Sequence, residues 1–159
     1  MFDGYLYASP RPAVPHARAA TKLAARLDGS FDHDGPGGWI LLIEPELHFG
    51  NDVLVPDLAG WRRERLPTLP NEAYLTLAPD WVCEVLSPST EAIDRGQKLR
   101  IYARQGVAHA WLVDPLLQTL EVVALESRRL EPLVHYRGNA GVRAQPFDAV
   151  ELELRALLI

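Results

Sequence analysis

Cysteine is almost missing from this chain. The single one, Cys83, lies inside an apolar run, so there is neither a disulfide framework nor a cysteine-ligated metal site. Long hydrophobic runs are missing too. Nothing approaches the roughly 18–20 apolar residues of a membrane span, and MFDGYLYASPRP at the start has neither the basic nor the apolar region of a signal peptide. The expectation is a cytoplasmic protein that makes no use of a membrane. Positive charge is in short supply, with 16 Lys and Arg against 21 Asp and Glu for a net charge of −5. That excludes coating nucleic acid through bulk charge and leaves room for a local basic groove. Repeats, low-complexity tracts and interdomain linkers are lacking as well. The 159 residues are expected to form one domain, 1–159, with a real core.

What is present alternates between strand and helix patterns. YASPRPAVPH reads as an extended arm holding Pro10, Pro12 and Pro15. From about Pro15 to Leu27, apolar Ala20, Leu23, Ala24 and Leu27 recur at helical spacing, and Gly29 can end the helix. DHDGPGG is turn chemistry. WILLIEPELHF (Trp39 to Phe49) reads as a strand, GND as a turn, and VLVPDLAGW (Val53 to Trp61) as a second strand. The polar, proline-punctuated RRERLPTLPNEAYLTLAP reads as a loop, and WVCEVL as a third strand. SPSTEAIDRGQKLRIYARQG reads as a helix, with Ser89 or Thr90 as N-cap and Gly106 as terminator. HAWLVDP and QTLEVVALES are further strands, and HYRG and AVELEL are candidates in the tail. Helix, three strands, helix, strand, strand predicts an α/β (α+β) fold, a central mixed sheet flanked by helices.

Two acids stand out against this pattern. Glu84 interrupts WVCEVL, where Trp81, Val82, Cys83, Val85 and Leu86 show no polar alternation and mark a strand covered on both faces. A carboxylate there costs several kcal/mol unless a cation, a metal or strong hydrogen bonds offset it. Asp57 is the lone acid in VLVPDLAGW. Neighbouring strands would bring the two together, and two close carboxylates repel unless one is protonated or a metal lies between them. A hard cation such as Mg²⁺ suits such an all-oxygen site, with Mn²⁺ a second choice. Glu44, Glu46 and His48 share one parity in the first strand, so Glu44 or Glu46 is a candidate extra ligand. Lys98 sits about 40° around the second helix from the apolar Tyr102, at the border of the buried face. Its bland alternative is a surface pair with Asp94.

VPDLAGW, DWVCEVLSPST and DRGQKLRIYARQGVAHAWLVDP together resemble the Uma-type restriction endonuclease family of the PD-(D/E)XK nuclease superfamily. The resemblance runs from YASPRPAVPH to about LEVVAL. It implies a restriction-endonuclease-like core, a metal-dependent endonuclease acting on nucleic acid, DNA foremost, and metal-binding acids at Asp57 and Glu84. The superfamily lysine two residues after the glutamate is replaced here by Leu86. In Uma-type sequences the basic role moves to the following helix, at Lys98. His16 resembles a histidine found at the start of the first helix in that family, where a cap or core role is the simpler reading.

Asp57, Glu84 and Lys98 are thus the expected catalytic residues, with Asp57, Glu84, Glu46 and Glu44 as the metal set. Arg18, Lys22 and Arg26 form a basic stripe on the first helix, and Arg62, Arg63 and Arg65 follow the Asp57 strand. Either group could contact phosphates, against the alternative of a solvated face. Cutting both strands favours a homodimer, with the terminal ALLI as a candidate contact. Two other readings stay open. One is a nuclease fold that has lost catalysis and binds nucleic acid or protein. The other is a carboxylate-pair hydrolase acting on sugars, for which Trp39, Trp61, Trp81 and Trp111 are available.

Overall fold

The structure, a computed structural model, describes residues 11–33, 37–124 and 131–158. Val14–Leu27 forms helix α1, with proline in its first turn, where a missing N–H costs nothing. The chain does not stop at Gly29 but continues as a π-helical segment, Asp28–His33. Strands β1 (Trp39–Ile43), β2 (Leu47–Phe49), β3 (Asp52–Leu54), β4 (Leu58–Arg62) and β5 (Trp81–Val85) follow. A helical run then starts as α2 (Glu91–Ile93), passes through a π-helical turn (Asp94–Lys98) and ends as α3 (Leu99–Arg104). Gly106, at φ +81, breaks it, a conformation that glycine adopts without strain. Strands β6 (His109–Asp114), β7 (Thr119–Ala124), β8 (Glu131–Arg137), β9 (Gly141–Val142) and β10 (Leu152–Glu153) and helix α4 (Leu154–Leu158) complete the described chain.

Six strands form one mixed sheet in the order β1-β4-β5-β6-β7-β8. β5 and β6 run parallel, joined by the α2–α3 run, and the other neighbours are antiparallel. Alternation along β5 sorts the core into two layers. Trp81, Cys83 and Val85 face α1 and α4, together with Leu58, Trp111 and Phe147. Val82 faces α3, together with Ala59, Leu112, Leu99 and Tyr102. Glu84 has the parity of Val82, so its side chain is aimed at α3.

Several expectations are corrected. WILLIEPELHF is not one strand: Glu44 takes φ +46 ahead of Pro45, and the chain kinks from β1 into β2, which hairpins with β3 in a separate two-stranded sheet. The shared parity of Glu44, Glu46 and His48 is lost at that kink. VLVPDLAGW likewise splits at Val55-Pro56-Asp57, since proline supplies no ladder N–H. AVELEL contributes only Leu152 and Glu153 as strand before α4 begins. Leu157 and Leu158 of ALLI are buried in the chain's own core beneath α1, which removes them as a dimer contact. Residues 7–10 of the expected proline arm lie outside the described residues, and its last three, Val14, Pro15 and His16, are already the first turn of α1. No helix among the described residues is long and apolar enough to cross a membrane.

Candidate active site

The β4–β5 register pairs Leu58 with Cys83 and Ala59 with Val82. One step further along it sets Asp57 opposite Glu84, at the end of the strands nearest α1 and the π-helical turn. Glu44 is tied to the same spot, because its N–H donates to the Asp57 carbonyl at 3.0 Å. The break at Pro56 is therefore what releases Asp57 from the ladder and lets its carboxylate accept hydrogen bonds of its own.

Both Asp57 oxygens are engaged. Oδ2 accepts the Val85 N–H at 2.6 Å, and Oδ1 accepts His16 Nε2 at 2.8 Å. That bond to Asp57 is the main reason the His16 imidazole holds its proton to higher pH than usual, against the opposing effect of burial, and Asp94 and Glu84 add to it. His16, read from the sequence as a cap or core residue, is thus brought into the site.

Glu84 is 1% exposed. Its Oε2 accepts Lys98 Nζ at 2.9 Å and its Oε1 accepts the Tyr102 hydroxyl at 2.6 Å. Burial still pushes its acid up to about 7, with Lys98 pulling the other way and Asp94 and Asp57 adding to the rise. Lys98 Nζ also lies 2.8 Å from Oδ1 of Asp94, a second buried carboxylate. Burial alone would loosen the Lys98 proton; Glu84 and Asp94 outweigh it, so the ammonium is held more firmly than usual. Lys98 is therefore a fixed positive charge at any ordinary pH. The Tyr102 hydroxyl, raised by burial and by Glu84, stays a donor.

These groups open onto a cavity of about 380 Å³, lined among others by Arg11, His16, Glu44, Asp57, Glu84, Asp94 and Lys98. The Ser87–Thr90 turn forms another wall, its hydroxyls linked to one another at 3.0–3.1 Å. No Trp, Tyr or Phe among the described residues lines it. All four tryptophans are buried in the core, which removes the aromatic platform that a sugar hydrolase would use.

Other expected residues stand elsewhere. Glu46 lies just before β2, hydrogen-bonded to His48 at 2.6 Å, and does not line the cavity. Arg62, Arg63 and Arg65 follow the far end of β4, about five residues or 17 Å of strand from Asp57. Arg62 lies over the Trp39 ring at 4.2 Å, Arg63 binds Asp32 and Arg65 binds Asp80. Arg18 and Lys22 lie on the side of α1 turned away from Ala19, Leu23 and Leu27, which face the core. Among the described residues, no three His, Cys, Asp or Glu side chains converge closely enough to hold a metal. Asp94 and Tyr102 escaped the sequence reading. Asp94 passed for a surface partner of Lys98 and Tyr102 for a core aromatic; their spacing of four residues on either side of Lys98 was the available signal.

Comparison with known proteins adds the context. The Uma2 family model, described as "Putative restriction endonuclease", matches residues 1–156. An uncharacterised Synechocystis protein, slr1290, is 30% identical over 161 residues, covering 96% of this chain and 75% of its own. The crystal structure of "a putative nuclease belonging to DUF820" from Anabaena variabilis superposes with a TM-score of 0.81 at 22% identity, covering 98% of this chain and 87% of that one. At that identity the likeness speaks for the fold.

Proposed function

The chain belongs to the Uma2 restriction-endonuclease family, and from that premise we propose that it is a nuclease hydrolysing phosphodiester bonds in nucleic acid, DNA foremost, with Mg²⁺ or Mn²⁺ as cofactor. The observation that carries this reading is the charge balance of the cavity. Glu44, Asp57, Glu84 and Asp94 line it with Arg11, His16 and Lys98, four acids against three bases. Burial above all keeps the proton on Glu84, the bond to Asp57 keeps it on His16, and the neighbouring carboxylates add to both.

The residues fit a hard divalent cation that takes one or two carboxylates from the protein and fills the rest of its shell with water and substrate oxygens. Asp57 and Glu84 would hold it, with Glu44 in reach as a water-bridged partner. Each carboxylate oxygen has two lone pairs, so the hydrogen bonds from His16, Val85, Lys98 and Tyr102 leave acceptor capacity free. When bound, such an ion neutralises phosphate charge and favours the hydroxide form of a water.

The chain's own groups do the rest. His16 and the Val85 amide fix the plane of Asp57, and Tyr102 fixes that of Glu84. Lys98, always charged, stabilises negative charge that develops on the phosphate and orients the attacking water. It cannot take a proton from that water, because its own is held too firmly. Arg11 at the rim is placed to meet a neighbouring phosphate. A break in both strands of a duplex would need two such sites, which two copies of the chain can supply.

A second reading is a nuclease fold that binds nucleic acid without cutting it, favoured because no three His, Cys, Asp or Glu side chains among the described residues are arranged to hold a metal. Turnover separates the two. Supercoiled plasmid and single-stranded DNA are incubated with the protein and its Glu84→Gln variant in Mg²⁺, Mn²⁺ or EDTA. Cleavage by the wild type alone, stopped by EDTA, is the expected result; nucleic acid retained but uncut, by a folded protein, would move the assignment to the binding module.

A further inference from the structure

Asp94 is as buried as Glu84, at 2% exposed, yet the reaction proposed above has no direct use for it. Its Oδ1 lies 2.8 Å from Lys98 Nζ and takes no hydrogen bond from another described group. The same ammonium donates to Glu84 Oε2 at 2.9 Å. One lysine therefore stands between two buried carboxylates, either of which would neutralise it. A second buried acid beside the first is costly, and packing alone would be better served by an apolar side chain of similar size.

A use for Asp94 emerges once Glu84 turns to a cation, a step that rests on the metal reading above. A dication on Glu84 draws that carboxylate away from Lys98 and repels the ammonium at short range. The lysine stem is flexible and its head strongly hydrated, so a Lys98 held by Glu84 alone would swing out to water. Of the other groups around the ammonium, the Tyr102 hydroxyl is bound to Glu84, and Asp57 is bound to His16 and Val85. Asp94 is different because it belongs to the same π-helical turn as Lys98 and stays with it whatever happens on β5. Such a turn, which opens a helix at one point, is a recurrent way of aiming side chains at a functional site.

We propose that Asp94 is a positioning residue that keeps the Lys98 ammonium in the cavity when Glu84 is given over to a divalent cation. Asp94 then acts through Lys98 and touches neither cation nor phosphate. It makes the two demands on the site compatible: a carboxylate free for metal and a lysine still pointed at the reacting phosphate.

The chain has only two lysines, Lys22 and Lys98, so amine acylation read by peptide mass spectrometry follows both in one sample. Wild type, Asp94→Asn and Asp94→Glu are labelled with acetic anhydride at fixed pH, with and without Mg²⁺, and calorimetry on the same samples records whether Mg²⁺ binds. In the wild type, Lys98 is expected to label far more slowly than Lys22 in both conditions. In Asp94→Asn it stays protected without Mg²⁺ and labels about tenfold faster with it, as expected for loss of a charged hydrogen bond. Asp94→Glu, which keeps the charge, restores protection. Asp94→Ser replaces Asp94→Asn if that variant does not fold. In Asp94→Asn, Mg²⁺ bound with no change in Lys98 labelling overturns the proposal, and so does fast labelling of that variant before Mg²⁺ is added, which would make Asp94 a plain structural partner. Absence of Mg²⁺ binding to the wild type would instead remove the metal reading, and this inference with it.

Discussion

Replacing Glu84 by glutamine should make the protein more stable while it removes activity. The size follows from the carboxyl's position in the fold. Burial lifts the acid from 4.5 to about 7, and one unit is worth about 1.4 kcal/mol, so the ionised form costs the folded state roughly 3 kcal/mol. The sign depends on which state releases its proton first. Below pH 4.5 the acid is protonated in both states and costs nothing. Between 4.5 and 7 the unfolded chain gives up the proton while the folded chain keeps it, so stability falls as pH rises. Above 7 both are ionised and the deficit levels off. Glutamine mimics the protonated acid in shape and cannot ionise. Urea unfolding of wild type and Glu84→Gln at pH 4, 5.5, 7 and 8.5 in EDTA should therefore show near-equal stability at pH 4. A gap of about 3 kcal/mol in favour of the variant should open by pH 7 and hold at pH 8.5. A gap that does not vary with pH, or one that favours the wild type at pH 8.5, would refute the reasoning.

Other perturbations have their own signatures. Lys98→Met leaves Glu84 and Asp94 buried without their shared cation, and should destabilise the protein by about 3 kcal/mol at pH 8, with a smaller loss at pH 5, where Glu84 is protonated; denaturant midpoints at the two pH values check it. Tyr102→Phe removes the 2.6 Å bond to Glu84 and should cost about 1–3 kcal/mol, measured by thermal unfolding. Gly60→Ala would put a methyl 2.9 Å from Leu41 and 3.2–3.3 Å from Trp39 and Trp81, and should cost about 1–3 kcal/mol in the same assay. His16→Gln should lower cleavage while leaving the urea midpoint within about 1 kcal/mol, because the amide can still donate to Asp57.

The central elements were legible because their signals are strong. WVCEVL announces a strand buried on both faces, and Glu84 within it announces a buried charge needing a partner. Lys98 was found from its angle to Tyr102 on one helix. What failed did so for local reasons. The kink at Glu44 comes from a positive φ before proline, which apolar periodicity does not register, and it cost Glu46 its expected place. The Asp94–Lys98 pair was weighed only as a surface alternative to an inward Lys98; it forms at the expected spacing of four residues, but buried, alongside the Lys98–Glu84 contact. His16 reaches Asp57 across 41 residues of chain, a contact that only the sheet and α1 together create. The arginines after β4 are close to Asp57 in sequence and a strand's length away in space, because residues at opposite ends of an extended segment cannot share a site.

The most direct test is a crystal soaked in Mn²⁺ and measured at the manganese anomalous edge. The account predicts an anomalous peak between the Asp57 and Glu84 carboxylates, within bonding distance of an oxygen from each, with Lys98 still beside Asp94. A peak elsewhere on the chain, or a cavity at saturating Mn²⁺ in which Lys98 remains the only cation on Glu84, would contradict it.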